Sequence, residues 1–226
     1  MSRRSEPRGS EAAVARVAEG RAAAEPTSAE QRARYLRILE VAAELASDKG
    51  LERVQMHEVA KGAGVAIGTL YRYFPSKTHL FVGVMADQVE RLSERLSKRP
   101  RAGVRPDEAA FEVMQKSTRA LMRRPALAMA MISSSNAANA ATVSDVGRID
   151  RGFRKILLDA MGLEHPTAHD ITLLRLLLQL WYGVLQSSLN GRISMPDAES
   201  DVRLACRLLL AGLSNAAPGS PPPAED

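Results

Sequence analysis

Between residues 31 and 213 the apolar positions return every three or four residues, the repeat of an α-helix, and clear strand alternation is missing. Leu36, Leu39, Ala43 and Ala46 line one side of a first helix over residues 31–49, with Gly50 placed to end it. Met56, Val59, Ala60 and Ala63 do the same over residues 54–63, and Gly64 follows where the chain needs a left-handed turn to leave a helix. A second short helix begins at Val65 or Ala66 and runs to about Phe74, because Pro75 disfavours helical geometry in the residue before it. Two short helices on one tight turn read as a helix-turn-helix. The first helix completes a three-helix domain over residues 31–78.

Beyond it the same periodicity continues. Ser76 is placed to cap a longer helix to about Arg99, carrying Leu80, Val84, Val89, Leu92 and Leu96. Pro100 and Pro106 bracket a linker, after which residues 107–122, 125–141, 144–161, 168–190 and 197–213 read as helices of a second domain over 79–216. The fold class is therefore all-α. In the 168–190 helix Ile171, Leu173, Leu174, Leu176, Leu177, Leu178, Leu180, Trp181, Val184 and Leu185 spread around most of the circumference, so nearly every side must be buried. A homodimer answers this if the last two helices pair with their symmetry mates in a four-helix bundle. Leu173, Leu177, Leu180, Val184, Leu204 and Leu208 are the expected interface. The apolar run over residues 173–185 is too short for a bilayer and is interrupted by Arg175, so no membrane span is expected.

Composition sharpens this in a few places. A hydrophobic content of 45% over 226 residues supports one small and one medium domain with a real core. The net charge of +5 and pI near 9.6 suit a polyanion, and placement strengthens the point, since Arg32, Arg34, Arg37, Lys61, Arg72 and Lys77 gather around the motif. Residues 1–30 are poor in large apolar groups and read as a mobile arm; Arg3, Arg4 and Arg8 suit a minor groove, with a solvated tail as the simpler reading. Residues 217–226 read as a disordered tail. A single cysteine, Cys206, forms no intrachain disulfide and is most simply a small buried residue, and no signal segment opens the chain, so a bacterial-type cytoplasm is expected. Of His57, His79, His165 and His169 only the last two have metal-ligand spacing, and Pro166 lies between them with no third ligand evident. Neither a phosphate-binding glycine loop nor a dinucleotide fingerprint occurs, so no metal, cofactor or enzymatic activity is expected.

The second motif helix has two sides. Leu70 and Phe74 point one way with Ala66 and Ile67 beside them, while Gly68, Thr69 and Arg72 point the other. Tyr71 and Tyr73 fall on the flanks, where hydroxyls reach the phosphate strands that border a groove. Gly68 lets the backbone come close to base edges, and Lys77 lies in the first turn of the next helix, beside N–H groups that attract phosphate. The run GVAIGTLYRYFPSKTHL resembles the DNA-binding signature of the TetR family of bacterial one-component regulators. Within that family VQMHEVAKGAGVAIGTLYRYFPSKTHL, LWYGVL and DVRLACRLLLAG are similar to the KstR-type repressors of cholesterol catabolism.

The resemblance implies a homodimer on double-stranded operator DNA, with Gln55, His57, Ala66, Gly68, Thr69, Tyr71, Tyr73 and Lys77 at the DNA surface. Gln55 and Ala66 stand where the wider family often has Thr and Ser, and they match the KstR-type pattern. An effector is implied as well. The stretch LMRRPALAMAMISSSNAANAATVS replaces bulky branched side chains with methionines and small or polar groups, which leaves room for a mostly apolar ligand. Phe111, Met114, Met122, Met129, Ile132, Phe153, Leu157 and Trp181 are its candidate lining, with ordinary core as the plain alternative for each. The expected function is a repressor released by a small apolar effector, a steroid or steroid-CoA among them. A sensor of fatty acyl-CoA or drugs, and a ligand-free DNA-binding protein such as a nucleoid-occlusion factor, are the alternatives.

Overall fold

The computed structural model describes residues 23–95, 103–139 and 143–213, and within them all regular structure is helical. In order these are α1 (Ala29–Lys49), a 3-10 turn (Leu51–Arg53), α2 (Met56–Gly62), α3 (Ile67–Tyr73), α4 (Lys77–Arg95), α5 (Pro106–Met122), α6 (Pro125–Ala137), α7 (Ser144–Met161), α8 (Ala168–Leu189) and α9 (Met195–Leu210). The arm residues Arg3, Arg4 and Arg8, the continuation of α4 past Arg95 with Leu96 and Pro100, and the tail 217–226 lie outside the described residues.

Helix ends depart from the sequence expectation for local reasons. Ser28 caps α1, its Oγ accepting the Gln31 N–H at 3.2 Å, so the helix starts before residue 31. The 3-10 turn and the extended backbone of Gln55 push the start of α2 from residue 54 to Met56. Gly64, at φ 65°, makes the left-handed exit that only a residue without Cβ adopts freely. Pro106 becomes the first residue of α5 instead of linker, because the N–H it lacks has no partner there in any case. Helix α6 stops at Ala137, short of residue 141, where Ala138 turns extended next to Asn139. Asparagine side chains favour this by competing for nearby backbone groups. Ser194 caps α9 from Met195, and Thr167 with Asp170 forms a reciprocal box at the start of α8.

The chain divides into two compact units, Met1–Arg91 with Arg124–Asp150, and Leu92–Arg123 with Arg151–Asp226. In the first, α1 packs on α2 and α6, and α2 on α3. Ile38, Leu39, Val54, Val59, Leu70, Phe74, Leu80 and Phe81 are its buried core. In the second, α9 packs on α8 and α5. Leu174, Leu177, Trp181 and Leu185 of α8 and Val202, Cys206 and Leu210 of α9 are buried, and Cys206 Sγ lies 3.8 Å from Met114 Sδ of α5. Burial, with Asp107 and Glu108 adding to it, pushes the Cys206 thiol up to about 12, so it stays protonated and inert.

One expected interface residue is corrected here. Leu177 is 0% exposed and belongs to the core of its own chain, because it shares the inner side of α8 with Leu174, Leu178, Trp181 and Leu185. Among the described residues the large apolar side chains classed as exposed are Leu176 at 42%, Leu180 at 40%, Leu204 at 47% and Leu208 at 69%.

Candidate nucleic-acid interface

The two motif helices are each seven residues long, too short to be stable alone. What holds them is the core beneath. Leu70 and Phe74 of α3 are buried, and an aromatic cluster carries the packing into α1. The Tyr35 ring meets Tyr73 edge-on with centroids 5.7 Å apart and lies tilted on Phe74 at 4.9 Å. At the other end of the motif Glu58 accepts the Gln55 N–H at 3.1 Å and pairs with Lys49, which ties the start of α2 to the end of α1. The Lys49 hydrogen bond holds the Glu58 carboxyl below the usual carboxylate range.

This packing leaves Gln55, His57, Lys61, Ala66, Gly68 and Arg72 exposed and Thr69 half-buried. A Cβ added at Gly68 meets nothing within 4 Å, so the backbone there is open to close approach. Tyr71 and Tyr73 correct the expected geometry. They are 7% and 2% exposed, so the buried arc of α3 takes in both flanks instead of stopping at Leu70 and Phe74. For Tyr73 the reason is Tyr35, whose ring claims that side, and the Arg72 guanidinium closes over Tyr73 from outside with its Nη2 3.2 Å from the Tyr73 hydroxyl. Lys77 is also more committed than expected. Its ammonium donates to the Leu51 carbonyl at 3.2 Å and the Glu52 carbonyl at 3.5 Å, pinning the 3-10 turn to the first turn of α4.

Among the basic residues expected around the motif, Arg32 pairs with Glu90 and Arg34 with Glu30, whereas Arg37, Lys61 and Arg72 are exposed. Three structural partners escaped the sequence reading: Tyr35, Gly62 and Gly83. The tyrosine lies between Arg34 and Leu36 with no local mark of its role. Gly62 ends α2 and Gly83 lies within α4, each under a neighbouring side chain, with an added Cβ falling 2.7 Å from Val41 Cγ1 and 2.9 Å from Phe74 Cε1 respectively. A helical glycine is costly enough to suggest such a reason, which was the available signal.

The candidate effector residues divide between the units. Phe111, Met114, Phe153, Leu157 and Trp181 are buried in the second, and Met122 is half-buried there. Phe153 stacks on Trp181 at 4.8 Å, Trp181 Nε1 donates to Thr118 Oγ1 at 2.8 Å, and the Arg203 guanidinium lies 3.8 Å from the Phe111 ring centroid. Met129, half-buried, and Ile132, buried, belong to the first unit. A partly open cavity of about 140 Å³ in the first unit lies against Leu39, Ala43, Val84, Asp87, Arg91 and Arg124, and none of the eight candidates lines it. Among the described residues no group of three or more His, Cys, Asp and Glu could hold a metal, and no helix is long and apolar enough to cross a membrane.

Comparison with known proteins agrees with this geometry. The family model "Bacterial regulatory proteins, tetR family" matches residues 38–84, and "Tetracyclin repressor-like, C-terminal domain" matches residues 103–209. The HTH-type transcriptional repressor KstR of Rhodococcus jostii is 36% identical over 180 residues, covering 80% of this chain and 84% of that protein. The chain belongs to the TetR family. It is a TetR-family transcriptional repressor by its relatives, with α2 and α3 as the helix-turn-helix. A solved TetR transcriptional regulator from Rhodococcus sp. RHA1 is similar at 62% identity and TM-score 0.78, covering 83% of this chain and 100% of that one. The Thermus thermophilus repressor FadR, solved with lauroyl-CoA, shares the fold at 20% identity and TM-score 0.56, over 85% and 99% of the two chains.

Proposed function

We propose that this TetR-family repressor acts as a homodimer on a palindromic operator and leaves it when a small, mostly apolar molecule binds. Residues 31–78 carry the DNA contacts and residues 79–216 the effector and dimer contacts. The observation that carries the reading is the split of α3 into a buried arc and an open arc of Gly68, Thr69 and Arg72. That is what a helix needs to lie in a major groove while anchored from behind. Gln55, His57 and Ala66 join the same surface, and Tyr71, Tyr73 and Lys77 contribute at most the edges that packing leaves accessible. The exposed Leu180, Leu204 and Leu208, with Leu176, support a second copy of the chain against α8 and α9.

The resemblance to KstR-type repressors of cholesterol catabolism supports a steroid nucleus, free or joined to CoA, as the effector. Burying roughly 300 Å² of apolar surface at about 25 cal/mol per Å² contributes roughly 8 kcal/mol, from which the costs of association are subtracted. Effector and operator then weaken each other by the same factor. A fatty acyl-CoA is the second reading, favoured by the fold shared with the lauroyl-CoA complex of the Thermus repressor.

The test is to select an operator from random duplexes with the purified chain, then titrate the complex with steroids, steroid-CoA thioesters, fatty acyl-CoAs and cationic drugs. Release by the first two classes is the expected result. Release by fatty acyl-CoAs or drugs alone overturns the steroid assignment, and release by none favours a ligand-free DNA-binding protein.

A further inference from the structure

Gly183 lies well inside α8, which runs on to Leu189, and a glycine there weakens a helix relative to alanine. The other helical glycines whose surroundings are described have a local reason for their small size. Gly62 and Gly83 lie under Val41 and Phe74, and Gly68 belongs to the open arc of α3. Gly183 is exposed, and a Cβ added to it would meet nothing within 4 Å, so its own chain supplies no such reason.

By helical angle, Thr172, Leu176, Gln179, Leu180, Gly183 and Ser187 share one side of α8, and none of them carries a charge. Leu176 and Leu180 are exposed on it, and the exposed Leu204 and Leu208 extend the apolar surface on α9, the helix packed against α8. On this side Leu180 is a knob, and Gly183, one turn further on, leaves a gap. A two-fold interface is self-complementary, because residue i of one copy meets residue j of the other and j meets i. A knob and a gap three residues apart therefore fit a second copy of the same side, and a residue without a side chain lets the two helix backbones come close where they cross. We propose that α8 crosses its symmetry mate at this point, with Leu180 of each copy seated in the gap at Gly183 of the other, so that the pair sets the register of the homodimer. The inference rests on the homodimer reading above, and adds to it which residues meet at the crossing.

The experiment uses the full chain and two variants: Gly183→Leu, which has two knobs and no gap, and Leu180→Ala, which has two gaps and no knob. Each alone should raise the dimer dissociation constant roughly tenfold or more in sedimentation at graded concentrations, the first by overpacking and the second by an unfilled gap. Mixed in equal amounts, the two should recover most of the parental affinity as a heterodimer, because every knob then meets a gap. Native mass spectrometry separates the heterodimer from either homodimer by mass. If one variant alone does not fold, co-expression of the two chains with different tags reads the same heterodimer. Variants that dimerise as the parent does, in a chain that Leu208→Glu still dissociates, overturn this inference alone. Two weakened variants that gain nothing on mixing overturn the pairing of Leu180 with Gly183. A parent chain that is monomeric overturns the homodimer reading and this inference with it.

Discussion

Tyr35 places one hydroxyl where an aromatic cluster meets a group of charges. Burial, then the carboxylate of Asp145, push its pKa above the ordinary tyrosine value, while Arg148 and Arg32 act in the opposite direction. The phenol is protonated in the fold. As pH rises above about 10 the unfolded chain releases this proton before the folded chain does, so the stability present below that pH declines through the folded value. Tyr35→Phe keeps the ring and removes the titration. Between about pH 9 and about pH 11 its melting temperature should fall less than that of the parent, and parallel curves would argue against Tyr35 as the source. At the DNA surface Tyr71→Phe should weaken operator and unrelated duplex by similar factors, because a phosphate contact carries no sequence information. Thr69→Ala should instead change preference at one base step, read by binding to a panel of single-pair operator variants; an unaltered profile removes Thr69 from base reading.

Two glycines test how the helices share the work. Gly83 of α4 lies under the recognition helix, where a Cβ would stand 2.9 Å from Phe74 Cε1 and 3.4 Å from Leu39 Cδ2. Neither neighbour is a flexible chain end, so Gly83→Ala should cost about 1–3 kcal/mol by forcing α3 away from its support. A lowered denaturant midpoint checks this. Gly68 of α3 has open space at the same distance, so Gly68→Ala should hold or slightly raise stability through helix propensity while reducing operator affinity. A variant that loses stability and keeps affinity would reverse the roles given to these positions. Helix starts follow equally local causes. Ser28, Thr167 and Ser194 supply cap oxygens, whereas Ala66 has none and α3 relies on packing.

At the scale of the whole molecule, variants on α8 and α9 test the proposed dimer apart from folding. Leu208→Glu on the outer side of α9 should leave the fold intact and give monomers by light scattering, since a charge there must leave water only if a partner covers it. Leu177→Glu should instead unfold or aggregate the chain, because Leu177 has no exposed surface. An unchanged dimer in Leu208→Glu places the interface elsewhere. Met129→Trp, at a half-buried position of α6, should reduce release by effector while operator affinity stays within about twofold, measured by fluorescence anisotropy titration. Equal release by parent and variant would take Met129 out of the effector site.

The number and order of the helices, the helix-turn-helix and the family signature were legible in the residue pattern. Helical periodicity, capping oxygens and glycine exits act over a few neighbouring residues and leave a local mark. The split of α3 was half legible: Leu70 and Phe74 against Gly68 and Arg72 followed from angle alone, but the burial of Tyr71 and Tyr73 did not. For Tyr73 that depended on Tyr35, more than thirty residues earlier, and no local rule couples the two. Leu177 shows the same limit, because a helix apolar on almost every side does not say which leucines face its own chain and which face outward. Ala24 on the Arg72 carbonyl, Lys77 on the 3-10 turn and Gly83 under Phe74 were decided only by packing across long sequence separations, where the partner's position exists once the chain has folded.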